Sequence, residues 1–309
     1  IIKPSTLSPL STYMVGEIMH SINFPAGVVN ILAGSSSEVA TPMTTSKIPA
    51  VITMIGSTQT GQRIIADSTT SIKKLGMELG GNAPFIVFED ANFDTALDLA
   101  IGLKFGNTGQ ICVAANRIFV HKNIYDKFIK AYVKRASELK IGFGIKENED
   151  VFMGPLASRD SRDRMFELIE DAVSKGAKLE YGGQIPEGLP EGGNWMQPTI
   201  VSGTTPDMKL FREETFGPVA GIMPFETDDE VLELANDTEF GLASYIFTND
   251  HKRIERFTED LEFGEIQING VKYAIYLPHG GFKNSGIGHD CSHLALEDYL
   301  VKKRVSTAL

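Results

Sequence analysis

Cysteine is nearly absent from these 309 residues: there are two, Cys112 and Cys291. Two thiols cannot build a disulfide framework, which argues against a small secreted scaffold and suits a reducing, cytoplasmic compartment. Basic charge is scarce as well. With 29 Lys and Arg against 40 Asp and Glu, the formal net charge is -11. Neither nucleic acid nor an anionic membrane is an expected partner, because neutralising phosphates needs a basic surface. No apolar run is long enough to span a bilayer. The spacings CxxC, CxxH and HExxH do not occur and the six histidines do not cluster at ligand intervals, so no metal is expected. Repeats and low-complexity segments are lacking too.

What remains is a globular composition, 42% apolar and 22% charged, in a chain long enough for one large domain or two ordinary ones. Ile1 and Ile2 read as the end of a buried strand running into Lys3, as if the protein were joined partway through, so a targeting signal ahead of it would not be visible. Ser8 and Pro9 read as N-cap and first helical position of an amphipathic helix over LSTYMVGEIMHSI. GVVNILAG (27–34) and AVITMIGS (50–57) are β-branched runs expected to form buried parallel strands, and residues 58–72 a helix. A second alternating series follows. APFIVFE, RIFVH, PTIVSG, PVAGIMPF, ASYIFTN and GEIQING read as strands. Residues 92–105 read as a helix with Phe93, Leu97, Ile101 and Phe105 on one face. Residues 123–140 and 161–177 read as further helices, and the Gly- and Pro-rich stretch 182–194 as a surface loop. Strand–helix alternation of this kind predicts a doubly wound α/β fold in two lobes, changing near residues 79–82.

Four segments carry chemistry. GSTQTG (56–61) lies where a strand meets a helix, a place where backbone N–H groups and a hydroxyl meet a pyrophosphate; it is not GxGxxG, and alone it reads more readily as an ordinary strand-to-helix turn. MELGG (77–81) puts Glu78 before a glycine pair, alone a solvated helix-end charge. EETFGPV (213–219) and HGGFKNSGIG (279–288) are alone only turns. Cys112, in FGNTGQICVAANR, follows a Gly/Asn/Thr break and precedes a small-residue run read as helical. A helix N-terminus favours a thiolate and glycines give access, although an isolated cysteine also reads as a small buried hydrophobe.

Taken in order, these segments closely resemble the aldehyde dehydrogenase superfamily, in its NAD(P)-dependent hydrolytic branch, from KPS to the GGFKNSGIG block. The resemblance implies an α/β fold with a partial Rossmann-type cofactor domain at 1–80, a catalytic domain at 81–270, and a return segment with an oligomerisation strand at 271–309. It implies that Cys112 is the nucleophile toward a small aldehyde, passing through a thiohemiacetal and a thioester, and that Glu78 activates the hydrolytic water. Glu214 and Phe216 would hold the nicotinamide side of NAD or NADP, Lys3 the adenine-side ribose, and Gly56 and Ser57 the pyrophosphate. Ser5, Thr6, Gly34 and Gly61 complete the expected cofactor contacts. Lys283 and Ser285 are expected to be loop structure, Arg117 to be structural, and Cys291 with its neighbouring histidines to be surface chemistry. Phe105 is expected to pack near the substrate tunnel, which Ile111 and Val113 flank.

Three consequences follow from that resemblance. Members that prefer NAD often carry a Glu at the third position after the Lys; here Thr6 stands there without charge, so NADP is expected to be tolerated or preferred. Retention of Glu78 speaks against the CoA-acylating branch. Members also carry well over a hundred residues before KPS, including an oxyanion-hole Asn and a bridging hairpin. A chain complete as it stands is therefore expected to be poorly folded or inactive, a non-catalytic binding protein in function. As part of a longer protein it is expected to be an enzyme, dimeric or tetrameric through the strand Val301–Val305. LPHGGFKNSGIG and LEDYLVKKRV resemble members acting on small amino-, hydroxy- or semialdehydes.

Overall fold

The computed structural model describes residues 1–145 and 150–308. In chain order the helices are α1 Leu10–Ser21, α2 Thr41–Thr45, α3 Thr58–Asp67, α4 Phe93–Phe105, α5 Tyr125–Ser137, α6 Arg159–Ser174, α7 Lys209–Arg212, α8 Asp228–Asn236, α9 His251–Asp260 and α10 Leu294–Tyr299. The strands are β1 Val51–Ile55, β2 Lys74–Glu78, β3 Ala83–Val87, β4 Ala115–His121, β5 Lys178–Tyr181, β6 Thr199–Ser202, β7 Val219–Phe225, β8 Phe240–Gly241, β9 Ala243–Phe247, β10 Glu265–Ile268, β11 Phe282–Lys283 and β12 Gly286–Ile287. By its contacts the chain divides into two units, Ile1–Thr53 with Gln59–Leu75, and Met54–Thr58 with Gly76 onward. Residues 271–308 fall inside the second unit and are not set apart from it.

The second unit is built on a seven-stranded sheet in the order β10-β9-β3-β4-β7-β6-β5. Six of its strands are parallel and β5 alone runs antiparallel, against β6. Alternate residues of each strand face opposite sides, and the core divides accordingly. Phe85, Val87, Ile118, Val120, Tyr245 and Phe247 pack under α4 and α5 on one face. Ile86, Phe88, Phe119 and Ile246 pack under α8 and α9 on the other. The face read on α4 is buried as expected, with Phe105 lying in the core against Tyr132.

Arg117 shows how the sheet is tied to the layer beneath it. Its guanidinium is buried, donates to the carbonyls of Asn82 (3.1 Å), Leu234 (2.8 Å) and Ala235 (2.7 Å), and lies over the Phe211 ring. Burial pulls its pKa down to about 9, against the pull of Asp237. Arg117→Met is expected to leave three carbonyls without donors and cost about 3–5 kcal/mol of stability. Denaturant unfolding checks this; a loss under about 1 kcal/mol would contradict the role.

The first unit differs from expectation. GVVNILAG forms no strand: Ile31 makes one isolated parallel bridge to Ile2, and Val28 and Leu32 stay exposed because no neighbouring strand extends the ladder. Ile1 and Ile2 are exposed rather than buried. β1 forms, but it is only partly covered. In α1 Pro9 itself is the cap and no side chain caps the helix; Leu10, Met14 and Ile18 are exposed. No large apolar side chain among the described residues of this unit is buried. At the other end of the chain Leu300, Val301 and Val305 are also exposed.

Candidate active site

The segments that enter the strands of the large sheet, not those that leave them, carry the candidate residues. Glu78 to Asn82 leads into β3, Ile111 to Ala114 into β4, Glu214 to Pro218 into β7, and Glu265 opens β10. Parallel register sets Ala83 beside Ala115, so the ELGG and cysteine segments arrive side by side. Cys112 therefore sits in a turn closed by Ala114 N–H on Ile111 O (3.0 Å), before a strand. The helical run expected after it does not form: Ala115 to Arg117 are claimed by the sheet, whose pairing outweighs the helix propensity of alanine. The helix N-terminus invoked for the thiol is accordingly not there.

The approach to that turn is unusual. Asn107, Thr108 and Gly109 take φ of 49°, 59° and 70° in succession, a backbone region costly for the first two. Local bonds offset the cost: Thr108 Oγ1 donates to Gly154 O (3.0 Å), Asn107 Nδ2 to Gln110 O (3.1 Å), and Gln110 Oε1 accepts from Ala157 N (2.9 Å). On the far side, Tyr245 Oη donates to Val113 O at 2.7 Å and shares a 3.0 Å bond with Tyr273 Oη. Cys112 is thus held from both flanks, with its free thiol partly exposed. Ile111 is exposed and Val113 buried.

Glu78 ends β2 and is buried, not a solvated charge. Its backbone is fixed by β12, which pairs Gly286 with Glu78, and by Gly56 N–H on Glu78 O (3.0 Å). Ser285, fully buried, donates to Gly80 O (2.7 Å) and accepts from Gly241 N (2.9 Å). Lys283 donates to the carbonyls of Asn236 and Thr238. Lys283 lies in β11 and Ser285 in the turn between β11 and β12, so both tie backbone segments together. Gly81 lets the two entering segments touch, since a Cβ there would overlap the carbonyl oxygen of Cys112.

Two residues of this site were not among the expected ones. His279 places Nε2 3.1 Å from Glu78 Oε1, and its Nδ1 bonds Glu265 Oε1. One donor atom each from Glu78, Cys112 and His279 lie within 4.8 Å of one another. Hydrogen bonding to Cys112, then Glu265, then Glu78, pushes the His279 pKa up to about 12 against burial. The signals in the sequence were slight: a histidine before a glycine pair, and a carboxylate opening an otherwise apolar strand.

Of the expected cofactor residues, Glu214 is brought to the ELGG segment, accepting from Gly81 N at 3.0 Å. Burial raises its pKa, opposed by that bond and by Lys104. Lys104, also unanticipated, is fully buried on Asn116 Oδ1 (3.0 Å), and burial lowers its pKa to about 7. Phe216 is exposed at φ 47°. Gly56 and Ser57 lie in the second unit; Lys3, Ser5, Thr6, Gly34 and Gly61 lie in the first. Lys3 Nζ there meets only a backbone carbonyl, that of Pro4, among its hydrogen bonds, while Ser5 and Thr6 are exposed. Cys291 is exposed. No helix among the described residues is long and apolar enough to cross a membrane.

The fold is an α/β chain that sets a cysteine turn and a carboxylate-bearing strand end side by side. Residues 1–305 match the Aldehyde dehydrogenase family, and the chain belongs to that family. It is similar to the mitochondrial succinate-semialdehyde dehydrogenase of Oryza sativa subsp. japonica, 39% identical over 99% of this chain and 57% of that protein. It is similar also to succinate-semialdehyde dehydrogenase [NADP(+)] GabD of Escherichia coli (strain K12), 39% identical over 100% of this chain and 63% of that one. The crystal structure of succinate-semialdehyde dehydrogenase from Burkholderia pseudomallei superposes with a TM-score of 0.93 at 39% identity, covering 97% of this chain and 62% of that one. The chain thus spans roughly three-fifths of the length of these relatives.

Proposed function

We propose that the protein oxidises a small aldehyde to a carboxylic acid, with NADP or NAD as hydride acceptor. The observation that carries this is the approach of Cys112 Sγ and the Glu78 carboxylate within one 4.8 Å cluster. The Cys112 sulfur bonds the carbonyl carbon as its proton passes to the carbonyl oxygen, giving a thiohemiacetal, and loss of hydride from carbon with the proton from that hydroxyl leaves a thioester on the same sulfur. Glu78 then takes a proton from water as that water attacks the thioester, releasing acid and thiol. When bound, the nicotinamide supplies the hydride acceptor.

The chain's residues suit that cofactor: Lys3 is a cation that no carboxylate claims among the described residues, and Glu214 is a buried carboxylate beside Gly80 and Gly81. Lys3, Ser5 and Thr6 would meet the adenosine ribose, Gly56 and Ser57 the pyrophosphate, and Glu214 and Phe216 the nicotinamide side. The names of its relatives support a semialdehyde as the substrate class. Exposed Leu300, Val301 and Val305 support assembly through that tail.

Aldehyde-dependent formation of reduced cofactor, with succinate semialdehyde and lactaldehyde as probes and CoA omitted, tests the activity. NADP is expected to be used at least as well as NAD, because Thr6 offers a 2′-phosphate no opposing charge. Thr6→Glu is expected to lower kcat/KM for NADP by about 10-fold or more through like-charge repulsion and to leave NAD nearly unchanged. A wild-type preference for NAD would overturn the cofactor assignment, and turnover only with CoA would overturn the hydrolytic one.

A further inference from the structure

The site's charges are arranged around His279, which opens the HGGFKNSGIG segment and to which the resemblance assigns no role. We propose that His279, anchored by Glu265, is a positioning residue for hydrolysis, holding the Glu78 carboxylate beside Cys112 through a Glu265–His279–Glu78 chain. The proposal rests on the roles given to Cys112 and Glu78 above.

Both ends of this chain are mounted on fixed backbone. Glu265 is the first residue of β10, paired in register with Ala243 of β9. His279 is held through its main chain by a reciprocal bridge with Asp290, at 2.9 and 2.6 Å. One ring nitrogen is committed to Glu265, which leaves Nε2 facing Glu78 Oε1 with the Cys112 thiol beside both. The side chains are mostly shielded, with relative exposures of 21% for His279, 8% for Glu78 and 11% for Glu265. A carboxylate–histidine pair of this form fixes ring orientation for whatever the second nitrogen holds. Glu78 is followed by Leu79 and two glycines, so nothing on its own segment directs a long, flexible carboxylate. The imidazolium supplies that direction. The raised pKa of His279 keeps the ion pair intact across the neutral range. The phenols of Tyr245 and Tyr273 complete the polar groups on this side, and burial raises the pKa of each.

In the hydrolytic step the water oxygen bonds the thioester carbonyl carbon, its proton passes to Glu78, and the carbon–sulfur bond breaks with the electron pair returning to Cys112. Nothing is oxidised or reduced. A Glu78 that has swung away leaves this step without its base, while the earlier hydride step proceeds. His279→Leu in the intact protein is therefore expected to lower kcat by about 10- to 100-fold, with the KM for the aldehyde falling alongside it so that kcat/KM is little changed. The first turnover should release close to one equivalent of reduced cofactor per site and then stall. The tryptic peptide Phe105–Arg117 should carry the acyl mass on Cys112. His279→Gln, which keeps a donor toward Glu78, should recover part of the rate.

Unchanged kcat in a folded His279→Leu, or a lowered kcat with neither burst nor acylated peptide, would overturn the proposal. Should that variant not fold, Glu265→Gln decides: it breaks the far end of the chain and is expected to give the same burst with a milder loss. A Glu265→Gln enzyme of wild-type rate with no burst would overturn it equally. Full activity in Cys112→Ser would instead overturn the nucleophile assignment on which the proposal rests, so the two failures are told apart.

Discussion

Cys112→Ser abolishes aldehyde-dependent cofactor reduction, by roughly 10⁴-fold or more, in the outcome the geometry predicts. A serine hydroxyl in the same turn has the shape but is a weak nucleophile without a dedicated base, whereas a thiol forms and releases acyl groups readily. Because the turn is closed by backbone bonds and braced by Tyr245 on Val113 O, the exchange of sulfur for oxygen should leave the fold alone. The melting temperature of the variant is expected to stay within about 2 °C of wild type, as befits a change of well under 1 kcal/mol. Steady-state rates and a thermal melt on the same samples check both halves. Retained turnover would remove Cys112 from the mechanism. Inactivity of the wild type together with an unreactive thiol would favour a non-catalytic binding protein.

The second large effect is expected at a residue with no chemistry of its own. Gly81 separates the strand that bears Glu78 from the turn that bears Cys112, and its missing side chain is what lets them meet. In Gly81→Ala the methyl group would occupy the space of the Cys112 carbonyl oxygen, and Leu242 Cβ stands 3.4 Å away on the other side. Backbone is the obstacle, so no rotamer change relieves it. Either the cysteine turn moves or the ELGG segment does, and the second choice also strains the Gly81 N–H bond to Glu214. A displacement near 1 Å costs about 100-fold in a reaction that depends on placement, and overpacking costs about 1–3 kcal/mol. Kinetics should show kcat/KM falling by at least that factor while Cys112 still reacts with an alkylating reagent. Wild-type kcat/KM in Gly81→Ala would mean that the two segments are not in the register described.

How much of this was legible beforehand depends on whether the information was local. Six strands of the large sheet were readable because each is a short run rich in β-branched or aromatic residues. The face of α4 was readable because four apolar residues recur every fourth position. Glu78, Cys112 and Glu214 stood out through the order of their motifs, and Arg117 was rightly set aside as structural. The reading failed where neighbours decide. GVVNILAG has the composition of a strand but no partner to complete a ladder. Alanines after Cys112 favour a helix in isolation, yet the parallel pairing of β3 with β4 extends them. The antiparallel β5 and the polar helices α8 and α9 went unread because their apolar signal is thin. His279 and Glu265 were invisible for a different reason: nothing in their spacing to Glu78 or Cys112 hints at contact, and only the return of the chain onto β2 creates it.

That return has a consequence for the chain as it is made. Glu78 and His279 are separated by 201 positions, and Glu265, Ser285 and β12 all emerge well after Cys112. A growing chain therefore displays its thiol long before it owns the groups that surround it. Until the final segment pairs with β2, Cys112 is an ordinary side chain on an unfinished sheet. The carboxylates and the imidazole come together around that thiol only once the later segment has folded back onto β2.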